Sequence, residues 1–392
     1  MPAASTRLSV APRRSVGWPV PLAWRNLAAR RGRFLRSASA IGFAVLLMLV
    51  QLGFQRAFFD SALAIPRRLD GSLFIIDAAK YRFATSEPFS SHLIEAARQV
   101  PGVASASPLY AGWFDFFWQN PYDHKRFVVQ ALGVDPDRPV FRWPALAPLI
   151  PRLKAHGTVL VDRRARRFLG MTGSAEKSEI NGKPVRIVGS FALGPDFQND
   201  GTVIMSVDTF KELYPPAGVE TGVIRLAPGA HAAVVRTALR EALPRSVSVL
   251  GKPGIVRLEK NFQARVSSAG PIFTIGTAMG FAVGMLIAYQ IVYTELSETL
   301  PQYATLKAIG YGTGRLVRIV LEQAFMTALA GYLIAVVSGI AIFRLVGGLA
   351  LLPLQMTPQL ALEGLGLTLG ISLLSAMLAV RRLIAADPAE VL

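Results

Sequence analysis

The sequence predicts a membrane α-helical protein that also carries one sizeable α/β domain, and three observations carry this reading. The composition is apolar, with 52% hydrophobic residues and a mean hydropathy of +0.40. That is too apolar for a typical soluble chain, yet too polar for one lying wholly in a bilayer. Long apolar runs occur once near the start and three times toward the end. Between the first and second lies 60–269, which reads as alternating strands and helices.

Net charge is +17. In a soluble protein that excess would suggest a nucleic-acid partner. Here much of it is local: Arg7, Arg13, Arg14, Arg25, Arg30, Arg31, Arg33 and Arg36 precede the first apolar run with no acid among them. Such a cluster orients a span in the membrane, so no nucleic acid is expected. Cysteine is absent, which excludes disulfides and thiolate metal sites. His92, His124, His156 and His231 are too scattered for a zinc-ligand spacing, and no metal is expected.

Residues 1–20 are rich in Pro, Ser and Arg and read as a disordered cytosolic tail. In 21–36, Leu22, Trp24, Leu27, Phe34 and Leu35 alternate with arginines, as in a basic amphipathic helix lying on a membrane surface. A flank that merely orients the next span has the same composition. The first span is expected at 37–59; residues 37–54 carry no charge. The second is expected at 270–293. Its Gly276, Gly280 and Gly284 recur every four residues, a small-residue ridge suited to helix packing. The third and fourth are expected at 320–345 and 360–380. Lysines and arginines fall on the N-terminus, on 294–319 and on 381–392, whereas 346–359 has no charge. All four spans then agree on both termini inside and 60–269 outside.

The outside domain contains an internal echo. Strand, helix and strand are expected at 72–77, 90–100 and 103–110, and again at 222–227, 230–243 and 247–250. These two βαβ units would form a membrane-proximal lobe, about 70–125 with 215–255. A distal strand-rich lobe would occupy about 126–214, with turns at Asn181-Gly182 and Asn199-Asp200-Gly201. Residues 255–268 read as a helical stalk into the second span. The run Trp113, Phe114, Phe116, Phe117 and Trp118 is denser in aromatics than a strand core needs, and is a candidate surface for an adaptor or an amphiphilic substrate. No nucleophile motif, paired acids or phosphate loop stands out. Gly182-Lys183-Pro184 and Gly251-Lys252-Pro253 lack the spaced glycine and the Ser/Thr of a P-loop.

The segment 294–319 looks built to be touched. A plain connection between helices needs about 2–8 residues. This one carries Glu295 and Glu298, then an apolar knob from Leu306 to Gly310, then Arg315 and Arg318.

The order of one span, a large domain, three spans and a short tail resembles the FtsX/MacB-type ABC transporter permeases. Tyr303-Ala304-Thr305-Leu306-Lys307-Ala308-Ile309-Gly310-Tyr311 resembles the cytosolic loop of that superfamily. The tail from Arg381 to Leu392, with its Asp387-Pro388-Ala389-Glu390 ending, is similar to the superfamily's C-terminal signature. The stretches 51–62, Leu132-Gly133-Val134-Asp135-Pro136 and Asn181 to Gly194 look like the DevC-type subfamily. One departure concerns Pro301-Gln302-Tyr303-Ala304, which stand where the superfamily usually has an acid and a glycine.

The resemblance implies a MacB-like fold, with a two-lobed periplasmic α/β domain inserted between helices one and two of four. It implies a non-catalytic permease subunit of an ABC exporter in the inner membrane, paired with a second copy of itself. ATP and Mg would be bound by a separate cytosolic ATPase. That ATPase would dock on Glu295, Glu298, Tyr303, Leu306, Lys307, Ala308, Ile309 and Gly310. A periplasmic membrane-fusion adaptor and an outer-membrane exit duct would complete a machine for an amphiphilic substrate. FtsX-type relatives imply an alternative, a membrane signal transmitter that regulates a periplasmic partner.

Overall fold

The computed structural model describes residues 31–171, 175–215, 218–308 and 312–385. The tail expected at 1–20, residues 21–30 of the expected interfacial helix and residues 386–392 lie outside them. The described residues divide into two units. One comprises residues up to 48 with 280–337 and 361 onward; the other comprises 49–279 with 338–360.

The second unit is built on β1 (Leu73–Asp77), β2 (Val103–Gln119), β3 (Arg126–Val134), β4 (Thr158–Asp162), β5 (Lys177–Ile180), β6 (Lys183–Phe191), β7 (Thr202–Ser206), β8 (Thr221–Leu226) and β9 (Val247–Gly251). Their order is β3-β7-β4-β6-β5-β2-β8-β1-β9, with a further pairing of β3 to β2. That pairing closes the circuit β2-β3-β7-β4-β6-β5, so these strands leave one another no open edge. The other end is β2-β8-β1-β9, antiparallel throughout. Helix α3 (His92–Arg98) joins β1 to β2 across β8, and α5 (Ala232–Ala242) joins β8 to β9 across β1. The two βαβ echoes are therefore interleaved split units rather than side-by-side ones.

Strand β2 belongs to both parts. Its residues Val103–Leu109 pair with β8, and Leu109–Gln119 pair with β3. The division between the strand systems thus falls inside β2 near Leu109, not near residue 125. Pro108 and Gly112 lie within the strand without ending it, and the chain turns only at Asn120-Pro121.

Both sheet faces are covered, which explains why β1 reads as the unbroken apolar run Leu-Phe-Ile-Ile. Leu73 and Ile75 pack with Ile94 of α3 and Val235 and Leu239 of α5. Phe210 and Leu213 of α4 (Val207–Leu213) join the same core, and Ser206 caps that helix by accepting the Thr209 N–H at 3.2 Å. Phe74 and Ile76 face the opposite way. They pack with Ile65 of α2 (Ala64–Arg68) and Ile255 of α6 (Lys252–Arg265).

The long helices are α1 (Arg31–Ala62), α7 (Ala269–Ala308), α8 (Thr313–Ala350) and α9 (Pro358–Ala385). Each contains a stretch long and apolar enough to cross a membrane: Arg31–Ala62, Ala269–Thr294, Val317–Leu349 and Pro358–Arg381. Three expectations change here. Residues 31–36 continue into the first long helix, because nothing between Arg31 and Ser37 breaks it. The expected loop 294–319 is helical to Ala308 and again from Thr313, since the helix formers Glu, Leu, Gln, Ala and Lys extend the apolar span. The expected loop 346–359 shrinks to 351–357. Helix α9 then starts on Pro358, a residue suited to a first helical turn, and Thr357 Oγ1 accepts the Leu360 N–H at 3.2 Å.

Candidate functional site: the ligand cavity and the coupling helices

In the second unit the end of α1, helix α2, the segment 193–199 and one face of α6 enclose a cavity of about 520 Å³. Its walls form through identifiable local devices. Asp162, at the end of β4, accepts backbone N–H groups from Arg164 (2.9 Å), Leu193 (3.0 Å) and Gly194 (2.7 Å). Gly194 has φ +93°, which glycine tolerates best and which turns the chain toward the cavity. Asp196 then accepts the N–H groups of Gln198 and Asn199, both at 2.6 Å, closing a turn. Burial pushes the carboxyls of Asp162 and Asp196 above their usual range, and these N–H groups pull against it. The turn delivers Phe197 to Phe58, with ring centroids 5.0 Å apart, and Phe58 lies 5.3 Å from Phe273.

Opposite these stand Glu259 and Gln263, one turn apart on α6. Gln263 Nε2 donates to Glu259 at 2.7 Å, and Glu259 also accepts the Phe83 N–H at 2.8 Å. Phe83 meets the Trp113 indole edge-on at 5.5 Å. Trp113 and Gln263 are 3% and 2% exposed, and among the described residues neither Trp113 Nε1 nor Gln263 Oε1 has a hydrogen-bond partner. A buried polar atom left in that state costs about 1–3 kcal/mol. The lining arginines Arg67, Arg68 and Arg164 are matched in number by the carboxylates Asp60, Asp196 and Glu259. Arg67 bonds Asp60 at 2.6 Å, and Arg68 lies over the Trp143 ring at 4.6 Å.

The aromatic run is corrected in part. Trp113, Phe116 and Trp118 are 3%, 0% and 0% exposed, core residues that cannot meet an adaptor directly. Phe114 and Phe117, at 50% and 48%, point outward. Strand alternation explains the split, and the bulge between Gly112 and Phe116 sets its register.

Of the residues expected to meet the ATPase, Glu295, Glu298, Tyr303, Leu306, Lys307 and Ala308 lie on the last turns of α7. Ile309 and Gly310 lie outside the described residues. Glu298 is paired with Arg33 of α1, Nη1 to Oε2 at 2.5 Å.

The glycine ridge differs along its length. A Cβ on Gly276 would fall 2.3 Å from Gln51 Nε2, whereas Gly280 and Gly284 have nothing nearer than 3.9 and 3.8 Å. A close backbone approach between two of the long helices lies elsewhere. A Cβ on Gly42 of α1 would lie 2.9 Å from the Gly331 carbonyl of α8, and one on Gly331 would lie 2.9 Å from the Ala38 carbonyl. Single glycines on separate helices leave no spacing pattern to find.

Sequence reasoning missed the cavity. Its residues come from seven or more separate segments, and only the fold assembles them.

Apolar spans bracketing an α/β core in the chain define an integral membrane protein. Residues 37–242 match the MacB-like periplasmic core domain, more than half of the 392 residues, and 269–388 match the FtsX-like permease C-terminal domain. The chain belongs to the FtsX/MacB-type ABC permease family. Members are the permease components of ABC transporters and work with a cytosolic ATPase. Among solved structures, the periplasmic region of MacB from Actinobacillus actinomycetemcomitans is similar at 9% identity and TM-score 0.36, covering 50% of this chain and 94% of its own. The extracellular domain of the noncanonic ABC-type transporter YknZ from Gram-positive bacteria is similar at 10% identity and TM-score 0.32, covering 46% and 99%. No curated protein matches.

Proposed function

We propose that the chain is the permease subunit of a DevC-type ABC exporter, a machine for an amphiphilic substrate. One observation carries the reading: a family permease without a P-loop holds an apolar knob, Leu306 to Gly310, followed by the basic Arg315 and Arg318, where one long helix gives way to the next. A permease that works with a separate ATPase needs a surface on which that ATPase acts, and this connection has the composition for it. Both termini and the 309–312 connection would then be cytosolic, the α/β domain periplasmic and the membrane the inner one. Two copies would form the permease, and the exposed Phe114 and Phe117 would face the membrane-fusion adaptor that leads to the exit duct. Helix α6, joined to α7 by 266–268, is the route by which ATP-driven movement would reach that domain.

The test is co-purification of the ATPase with Leu306→Asp and Ile309→Asp variants. Loss of the ATPase from a chain that still melts like the wild type supports the docking surface. Retention of a stoichiometric complex by both variants rejects it.

A further inference from the structure

The cavity has a chemistry that can be read from its walls. We propose that it is a binding site for an uncharged amphiphile, one that presents both a hydrogen-bond acceptor and a donor beside a hydrocarbon part.

Size is the first argument. A volume of about 520 Å³ falls in the range of about 300–1,000 Å³ for small-molecule sites, far above that of a crevice between packed side chains. The lining is the second. Phe58, Ile65, Phe83, Leu193 and Phe197 supply apolar and aromatic surface for the hydrocarbon. Polar valence is the third. Trp113 Nε1 is a donor and Gln263 Oε1 an acceptor; both atoms are buried and both lack partners among the described residues. Buried polar groups are normally satisfied, so a pair of opposite sense on two wall residues defines what a ligand would bring.

Charge is the fourth argument, and it selects the head group. Arg67 is bonded to Asp60, Arg68 is stacked on Trp143 and donates to the Ala64 carbonyl, and Asp196 and Glu259 each accept protein N–H groups. Arg164 is exposed to solvent. The lining guanidinium groups are balanced one for one by lining carboxylates, and a charged head would have to enter against that balance.

Binding as such is independent of transport. That the ligand is the transported substrate rests on the exporter reading.

The experiment uses the full chain in lipid nanodiscs with a diazirine-bearing decanamide, followed by photolysis and peptide mapping. Decanoate and decyltrimethylammonium probes with the same diazirine serve as comparisons. The amide is expected to label peptides containing 58–68, 193–199 or 259–263, saturably and in competition with unlabelled decanamide. Trp113→Phe and Gln263→Leu should each weaken that labelling by about 3–10-fold, one net hydrogen bond apiece. The exposed Phe197→Ala variant, which removes wall surface without opening the core, should weaken it too. Labelling confined to the membrane helices, or cavity labelling unmoved by all three variants, overturns the site. Equal cavity labelling by the decanoate or ammonium probe overturns the head-group assignment. In the complex with ATPase, decanamide should stimulate ATP hydrolysis. Saturable labelling with no stimulation rejects the substrate role and retains the site.

Discussion

The carboxylate of Asp162 accepts the backbone N–H of Gly194 at 2.7 Å, across thirty-two residues of chain. The same carboxylate holds Leu193 and Arg164, so one buried acid pins the end of β6 to the end of β4 and sets the segment that walls the cavity. Asp162→Ala leaves these backbone donors without an acceptor and should lower stability by about 2–3 kcal/mol. Asp162→Asn should cost less, because an amide oxygen still accepts while the burial penalty on the charge disappears. Thermal melts of the full chain in detergent test the order.

Asp162 and Asp196 also make a pH prediction. Burial raises both folded-state values above the ordinary 3.8. A raised carboxyl binds its proton more tightly in the folded state. Its contribution is fully present below the unfolded value and is lost as pH rises through the folded one. The chain should therefore lose stability from these groups between about pH 3.8 and their raised folded values. Melts across that window should show a shallower slope for Asp196→Asn than for wild type, and an unchanged slope rejects the assignment.

A second buried pair makes the opposite kind of prediction. Lys80 Nζ meets Glu220 Oε2, with the side chains 0% and 3% exposed. Burial lowers the lysine's pKa, and Glu220 pulls it back up. Glu220 also takes the Ser86 hydroxyl, so the pair ties the 78–91 segment to the start of β8. Lys80→Met strands the glutamate and should cost about 3–5 kcal/mol, whereas Lys80→Met with Glu220→Leu should recover most of that loss. A double variant no more stable than the single one would place the value of the pair in its charge rather than in its packing.

Helix packing gives a contrast between glycines. Gly331 meets the Ala38 carbonyl and Gly42, backbone atoms that cannot swing aside. Gly331→Ala should destabilise the chain by about 1–3 kcal/mol, whereas Gly280→Ala, with nothing nearer than 3.9 Å, should sit within about 0.5 kcal/mol of wild type. Detergent melts of both variants decide it, and equal effects would contradict the packing.

What could be read in the sequence follows from what is local. Leu73 to Ile76 announced a strand by composition, and Ala232 to Ala242 announced a helix by its apolar period. The spans showed in their hydropathy. Non-local relations did not show. Nothing in Val103–Gln119 says that one strand serves two systems, because pairing is chosen by partners distant in the chain. The aromatic run looked like a surface because a strand buried on alternate residues, with a bulge inside it, cannot be phased by composition alone. Trp113, Asp196 and Gln263 became one site only when positions 83 and 67 residues apart along the chain had folded together.

The last prediction concerns Glu298, the acid nearest the knob. It is paired with Arg33, at 51% and 25% side-chain exposure. An exposed pair of this kind contributes about 0.2–1 kcal/mol, too little to hold α1 to α7 by itself. Two roles then separate by experiment. If Glu298 couples to the ATPase, Glu298→Ala should reduce ATPase stimulation in the complex, Arg33→Ala should leave it intact, and melts of both variants should match wild type. If its work is to hold Arg33, the two single variants should reduce stimulation alike, and the swap Arg33→Glu with Glu298→Arg should restore it. ATPase rates of the four complexes, measured alongside melts, tell these apart. Only the first pattern leaves Glu298 among the docking residues.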